Sequence, residues 1–491
     1  MLNSAIGYIT MFVFGIIMVL ISIAMKRKGK NNLDDFLAAR ESMSLPMTMS
    51  SLVVVWVWSS SLMGAAEGAY KFGVAGFYMY SFSVLLSALL LGWPIFKRVR
   101  KIAPSISTLP EFMKLRLGKK AHLVFAIVGI LQSFFWAVLQ ITAIGLVMNV
   151  LFGIPHAAAV ILGALIVTTY VTIGGLRASI GTDVVQFVML LLLLAIIIPT
   201  TLWVAGGPSE IYQGLAHSSV KTATLLYTKE SITGWLFVSI LSFLNYAIID
   251  QSVWQRVYAS KKGTESKLIL GTTFLWLPIP AVAGLIGMIG LAKGINVNPS
   301  EVFPAVVGQL LGSWGAYAMA VIMIATILST TDSCLNALST LIVRDIYIPY
   351  IRKNAPMAAS QEMKVARGVV IIGGLCIAAF SLAQVSILYL NYAVGALTLA
   401  MTWPFVLSVF IKRLNKTAAF WGLVIGTLSA LYFAVLPGAG LIEPVLPLWV
   451  GYLISHIIAA AIPLIGTLFS PDHNFQYHQA FHEGGIVNGI E

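Results

Sequence analysis

Apolar residues in this chain run in long blocks rather than in alternation. Blocks of roughly 20 residues, long enough to cross the hydrocarbon of a bilayer as a helix, occur at 5–25, 46–70, 74–96, 121–151, 156–175, 181–205, 232–255, 268–292, 312–342, 367–387, 389–411, 417–437 and 445–468. The period-2 alternation of a membrane barrel is absent, and backbone in hydrocarbon must satisfy its own polar groups, so the blocks predict helices. The expected fold is all-α and polytopic, with about thirteen transmembrane helices. Block 121–151 is long enough to be strongly tilted or to protrude.

Composition and charge placement sharpen this picture. Apolar residues make up 59% of the 491 and charged residues 10%, against roughly 25% charged in a soluble domain. With the N-terminus outside, only Lys71, Lys221, Lys229 and Lys293 fall in outer segments; the other 26 of the 30 basic residues lie on inner ones. The positive-inside rule therefore predicts an outer N-terminus and a cytoplasmic C-terminus in the plasma membrane. The net charge of +12 then reflects topology and anionic lipid headgroups, with no nucleic acid implied. Cys334 and Cys376 both fall inside blocks, so no disulfide framework is expected. Residues 1–25 lack a basic n-region and a small-residue cleavage site, and read as a retained first helix.

The connections are short, so residues 1–491 form one membrane domain whose work is done within the bilayer, which favours a carrier or channel. Two helices read as broken. Block 46–70 carries Ser59-Ser60-Ser61 and Gly64 mid-span, and block 232–255 carries Asn245 and then Asp250-Gln251-Ser252. Polar or unwound backbone at that depth is tolerated only where it is buried in protein or lines a cavity. The breaks fall in the second and seventh helices, and interruptions at corresponding places in two halves point to a transporter's central site. The expected organisation is an inverted repeat of five plus five helices: 46–205 and 232–411, with 5–25 before and 417–468 after. Residues 469–491 form a cytoplasmic tail; His473, His478 and His482 in it lack metal-ligand spacing and read as solvated. No phosphate-binding loop or hydrolase motif is present, so the chain gives no chemical basis for ATP-driven transport or for an enzyme.

Four acidic residues fall inside blocks: Glu67, Asp183, Asp250 and Asp332. A carboxylate there costs about 2.5–3.5 kcal/mol on insertion scales, so each is a functional candidate. Thr326, Ser329, Thr330 and Ser333 share one helix face, and Asp332 lies on its shoulder. Hydroxyl and carboxylate oxygens together suit a hard cation; hydroxyls alone also suit a helix–helix seam. Asp183 reads either as a cation ligand or as part of a helix start capped by Thr182. Glu67 has Lys71 at i+4, a local ion pair. Asp250 allows substrate contact or a structural hydrogen bond. Trp56, Trp58 and Trp254, near the breaks, line a cavity or simply pack.

Gly174-Gly175-Leu176-Arg177 followed by Thr182-Asp183-Val184-Val185-Gln186, then Gln255-Arg256, then Leu328-Ser329-Thr330 leading to Arg344-Asp345-Ile346-Tyr347, together resemble the sodium:solute symporter family. The resemblance covers roughly 5–468. It implies the inverted-repeat core and a sodium site made by the carbonyls of Val54, Val57 and Thr326 with the hydroxyls of Ser329 and Thr330. It also implies a second cation site at Asp183 and Ser333, with Asp332 standing where two-sodium members often have serine. Substrate contacts would come from Trp56, Trp58, Ser60, Ser61, Asp250 and Gln251. The tryptophans and the run Ser107–Phe112 are reminiscent of the urea-type branch.

The function expected is sodium-coupled symport of a small organic solute by alternating access, with sodium as the only bound cofactor and a monomer as the working unit. Proton coupling through Asp183 and Asp332, or a passive solute channel, are the alternatives.

Overall fold

The computed structural model describes residues 3–30, 32–385, 387–438, 440–477 and 479–483; the side chains of 60, 91, 243–247, 387–389, 391–392, 438 and 482–483 lie outside the described residues. That leaves out the side chains of Ser60, Asn245, His478 and His482. Among the described residues there are helices and no strand. In chain order they are α1 (Ser4–Arg27), α2 (Leu33–Leu37), α3 (Leu45–Trp56), α4 (Ser59–Phe72), α5 (Val74–Ile102), α6 (Leu109–Leu117), α7 (Lys119–Phe152), α8 (His156–Val204) and α9 (Gly207–Ala216). The second half holds α10 (Phe237–Ile249), α11 (Gln251–Ala259), α12 (Glu265–Ala292), α13 (Val302–Leu341), α14 (Ala359–Ser381), α15 (Ile387–Phe410), α16 (Lys416–Val435) and α17 (Leu448–Phe469). Ten described helices are long and apolar enough to cross a membrane, and the bent pair α3–α4 makes an eleventh. At 34 residues, α7 is about 51 Å long, well beyond a bilayer's hydrocarbon, as its block length predicted.

The sequence-predicted breaks are present, and each has a local cause. Helix α3 stops at Val57 (φ −84°, ψ 67°), and its continuation α4 is bent by 45°. The backbone groups this frees are satisfied by neighbours: the Trp56 carbonyl accepts from Trp276 Nε1 at 2.8 Å and Ser61 Oγ at 3.0 Å, and Ser59 N donates to Gln140 Oε1 at 3.1 Å. The second break is at Asp250, in extended conformation between α10 and α11, where its carboxylate accepts from Ser252 N at 2.7 Å. The boundary between blocks 156–175 and 181–205 is a bend, not a loop. Helix α8 carries two predicted blocks end to end and turns at Gly175, φ 56°. A Cβ there would sit 2.3 Å from the Phe36 carbonyl of α2, so glycine alone fits both the backbone and the contact.

That turn corrects the reading of Thr182 as a helix cap. The helix restarts at Gly175, so Thr182 and Asp183 sit within it, and the Thr182 hydroxyl donates back to Ala178 and Ser179 carbonyls. The Glu67–Lys71 pair forms as expected. His473 is exposed, but the tail is not simply solvated: Tyr477 and Phe481 are buried.

Helix α13 sits at the centre, packed on α7 and α8, with every residue from Met319 to Leu341 buried or nearly so. A helix apolar or small all round belongs inside a bundle. By contrast α1, α16 and α17 turn Ile9, Phe12, Leu20, Leu428 and Ile457 outward, as lipid-facing helices do.

Candidate transport site

The end of α3 lies against the hydroxyl-bearing face of α13. Thr330 Oγ1 is 3.4 Å from the Val55 carbonyl and 3.1 Å from the Thr326 carbonyl, to which Ser329 Oγ also donates at 2.9 Å. Hydroxyls that donate to their own helix spend their protons there and keep oxygen lone pairs for another partner. Opposite them is a helix C-terminus, whose unsatisfied carbonyls carry partial negative charge. The Val54 carbonyl accepts from Val57 N at 3.0 Å. The α3 carbonyl within reach of Thr330 is therefore that of Val55, which lies in sequence between the expected Val54 and Val57.

One turn further along α13 is a buried polar cluster built from four helices. Asp332 accepts from Ser179 at 2.6 Å, Tyr170 at 2.8 Å, Ser333 at 3.0 Å and Thr182 at 3.4 Å. Asp183 accepts from Ser51 at 2.5 Å and from Arg256 at 2.9 Å. The Arg256 guanidinium also donates to Ser333 at 2.6 Å, Ser51 at 2.7 Å, the Ser252 carbonyl at 3.0 Å and Ser179 at 3.2 Å. Neither side chain of the Arg256–Asp183 pair is exposed at all. Asp183, Asp332 and Ser333 thus come together as expected, but around a fixed cation. Arg256, counted above among the basic residues of an inner connection, lies in the core; α11 carries it inward, on the helix that begins at the Asp250 break. Asp183 Oδ1 has no hydrogen-bond partner, and two carboxylates outnumber one guanidinium.

The residues expected to touch substrate divide into two groups. Trp56 and Trp58 are buried at the first break, where Trp58 lies 4.9 Å from Trp136 between ring centroids. Ser61 Oγ is 3.3 Å from Tyr80 OH, and the Tyr80 ring is 6.4 Å from Trp276 and 6.1 Å from Trp235. Sequence alone does not single out Tyr80, Trp136, Trp235 and Trp276, because aromatic residues inside apolar blocks are indistinguishable from core, nor Gln140, a lone amide in a long apolar block. Gln251 goes elsewhere, a correction to its expected role. Its amide donates to the Ser107 carbonyl at 2.8 Å and accepts from Leu109 N at 3.2 Å, so it caps α6. Asp250 caps its own helix, and Trp254 packs on Phe96.

A family model for the sodium:solute symporter family matches residues 36–426. The chain belongs to that family. Family members are multi-pass membrane transporters of small molecules coupled to a cation, and this chain has their build. It is 24% identical to a urea–proton symporter of Oryza sativa subsp. japonica over 527 residues, covering 96% of this chain and 72% of that protein. It is 24% identical to the human sodium/iodide cotransporter over 449 residues, covering 86% of this chain and 68% of that one. Among solved structures it resembles a sodium-coupled sialic acid symporter in a substrate-bound outward-open state, with TM-score 0.78, 20% identity and 96% and 99% of the two chains covered. At that identity the likeness speaks for the fold.

Proposed function

We propose that this symporter couples sodium to the uptake of a small organic solute by alternating access. Sodium would bind between the broken α3 and α13, on carbonyls of Val54, Val57 and Thr326 and the hydroxyls of Ser329 and Thr330. The single observation carrying this is the approach of Thr330 to the Val55 carbonyl at 3.4 Å: it sets an open helix end against hydroxyls. Sodium bridging the two elements would preorganise the first break, and by linkage the solute would raise sodium affinity by the same factor. We propose thirteen crossings, counting α8 as two and α10–α11 as one broken span, in two inverted five-helix repeats. The orientation follows the lysines and arginines, with the C-terminus in the cytoplasm of a cell whose plasma membrane holds the protein as a monomer.

The residues around the first break, Trp56, Trp58, Tyr80, Trp136, Trp235 and Trp276 with Ser61 and Gln140, are aromatic or neutral polar. They suit a small neutral solute, and the urea-transporting relatives make urea the first one to try. In proteoliposomes an inward sodium gradient should drive urea uptake, while a potassium gradient should not. Uptake that ignores every imposed ion gradient would leave a passive channel instead.

Proton coupling is a second reading with its own support. The cluster of Asp183, Asp332 and Arg256 has one negative charge in excess and an unpartnered Asp183 oxygen. A buried excess charge is neutralised by a proton or a second cation, so an uptake that follows an imposed pH gradient would assign that role to the cluster.

A further inference from the structure

The C-terminal segment folds back onto the lysine- and arginine-rich face and grips α6. Phe481 stacks on Phe112 of α6 with centroids 5.0 Å apart and planes 15° apart, and Phe112 also meets Phe405 of α15 edge-on at 5.5 Å. The Arg116 guanidinium of α6 lies over the Phe475 ring at 4.6 Å while donating to the Ile411 and Lys412 carbonyls at 2.8 and 3.2 Å. Tyr477 OH donates to the Ser408 carbonyl at 2.7 Å, and Ser105 Oγ donates to the Phe481 carbonyl at 3.1 Å. Backbone bonds tie the segment's root to the α15–α16 connection, from Asp472 N to Arg413 and from Phe475 N to Lys412. Stacked rings and a desolvated cation–π contact hold more firmly than area burial alone.

The gripped helix is itself attached to the second break and to the start of α7. Gln251, the first residue after the Asp250 break, holds the α6 N-terminus through Ser107 and Leu109. Thr108 donates to Asp345, which also bonds His122 at the start of α7. A pathway opening between these elements would part α6 from α11 and α15, and the tail binds α6 to α15 from outside.

We propose that residues 472–477 and 479–481 are a built-in clamp on the inner gate: they hold α6 shut and must let go before the transporter opens to the cytoplasm. The proposal rests on the alternating-access reading above. Two variants in inside-out vesicles test it, with wild-type uptake measured alongside so that loss of the transporter reading is seen separately. The first joins Ser105→Cys to Phe481→Cys in a Cys376→Ala background and cross-links them with a short bis-maleimide. Cross-linking should stop uptake, while the same double variant left unlinked transports. Cross-linked protein that transports at the unlinked rate overturns the clamp. The second truncates the chain after Ser470 and carries Leu109→Cys as a reporter. Its maleimide labelling from the cytoplasmic face should rise about tenfold over the full-length reporter, a shift of ~1.4 kcal/mol in the gate equilibrium. Equal labelling of the two, with both folded by size exclusion, would also overturn it.

Discussion

The guanidinium of Arg256 lies 2.9 Å from the Asp183 carboxylate with neither side chain reachable by solvent, so each is the other's counter-ion in the centre of a membrane protein. Removing one partner of such a pair costs far more than replacing both, because the survivor is a buried uncompensated charge. Arg256→Met should therefore lower stability by about 3–5 kcal/mol. Arg256→Met with Asp183→Asn should recover a large part of that loss. Thermal denaturation in detergent measures both, and equal losses would mean the pair is not coupled.

Asp332 carries the excess charge of the cluster, and its neutralisation separates the two coupling schemes. Asp332→Asn should change the ion dependence of uptake by about five- to 150-fold if a cation or proton there is coupled to solute. A sodium-linked role raises the half-saturating sodium concentration; a proton-linked role removes the response to a pH gradient and spares the sodium response. Wild-type profiles in both measurements would leave Asp332 a structural hydrogen-bond centre.

Gly175→Ala should be costly, and Gly312→Ala less so. Both glycines have φ near 60°, a conformation worth about 1–3 kcal/mol of strain for other residues. At Gly175 the new methyl group also meets the Phe36 carbonyl at 2.3 Å, whereas at Gly312 nothing lies within 4 Å. A larger fall in melting temperature for Gly175→Ala is the expected result.

Much of this organisation was legible in the sequence, and the failures share a cause. The breaks could be read because Ser59–Ser61 and Asp250–Ser252 are polar in otherwise apolar blocks, and Asp332 because a charge beside a hydroxyl stripe has no place in a plain seam. Arg256 could not, since it precedes Lys261, Lys262 and Lys267 and charge counting groups it with them. Its partner lies 73 residues away. The position of Gln251 in the break points to the solute, but its partners at Ser107 and Leu109 are set by the packing of α6, which no local pattern encodes. The start of the Asp183 helix lies at Gly175 and not at Gly181 because the turn is a matter of one residue's backbone dihedrals.

The role found for Gln251 is testable apart from the solute cage. Gln251→Ala removes the cap from α6 and should change the maximal rate with little effect on KM. Tyr80→Phe, which removes the hydroxyl near Ser61, should raise KM. Steady-state uptake kinetics distinguish these, and a raised KM in Gln251→Ala would return that residue to the solute site.

The most direct test of the central claim is sodium stabilisation of the purified protein. Wild-type protein should melt at a higher temperature in sodium than in an equal concentration of potassium, because ligand binding to the folded state alone adds stability by mass action. The variant Ser329→Ala with Thr330→Ala should lose that difference while keeping its melting temperature in potassium close to wild type. A double variant that retains the full sodium shift would contradict a sodium site between α3 and α13.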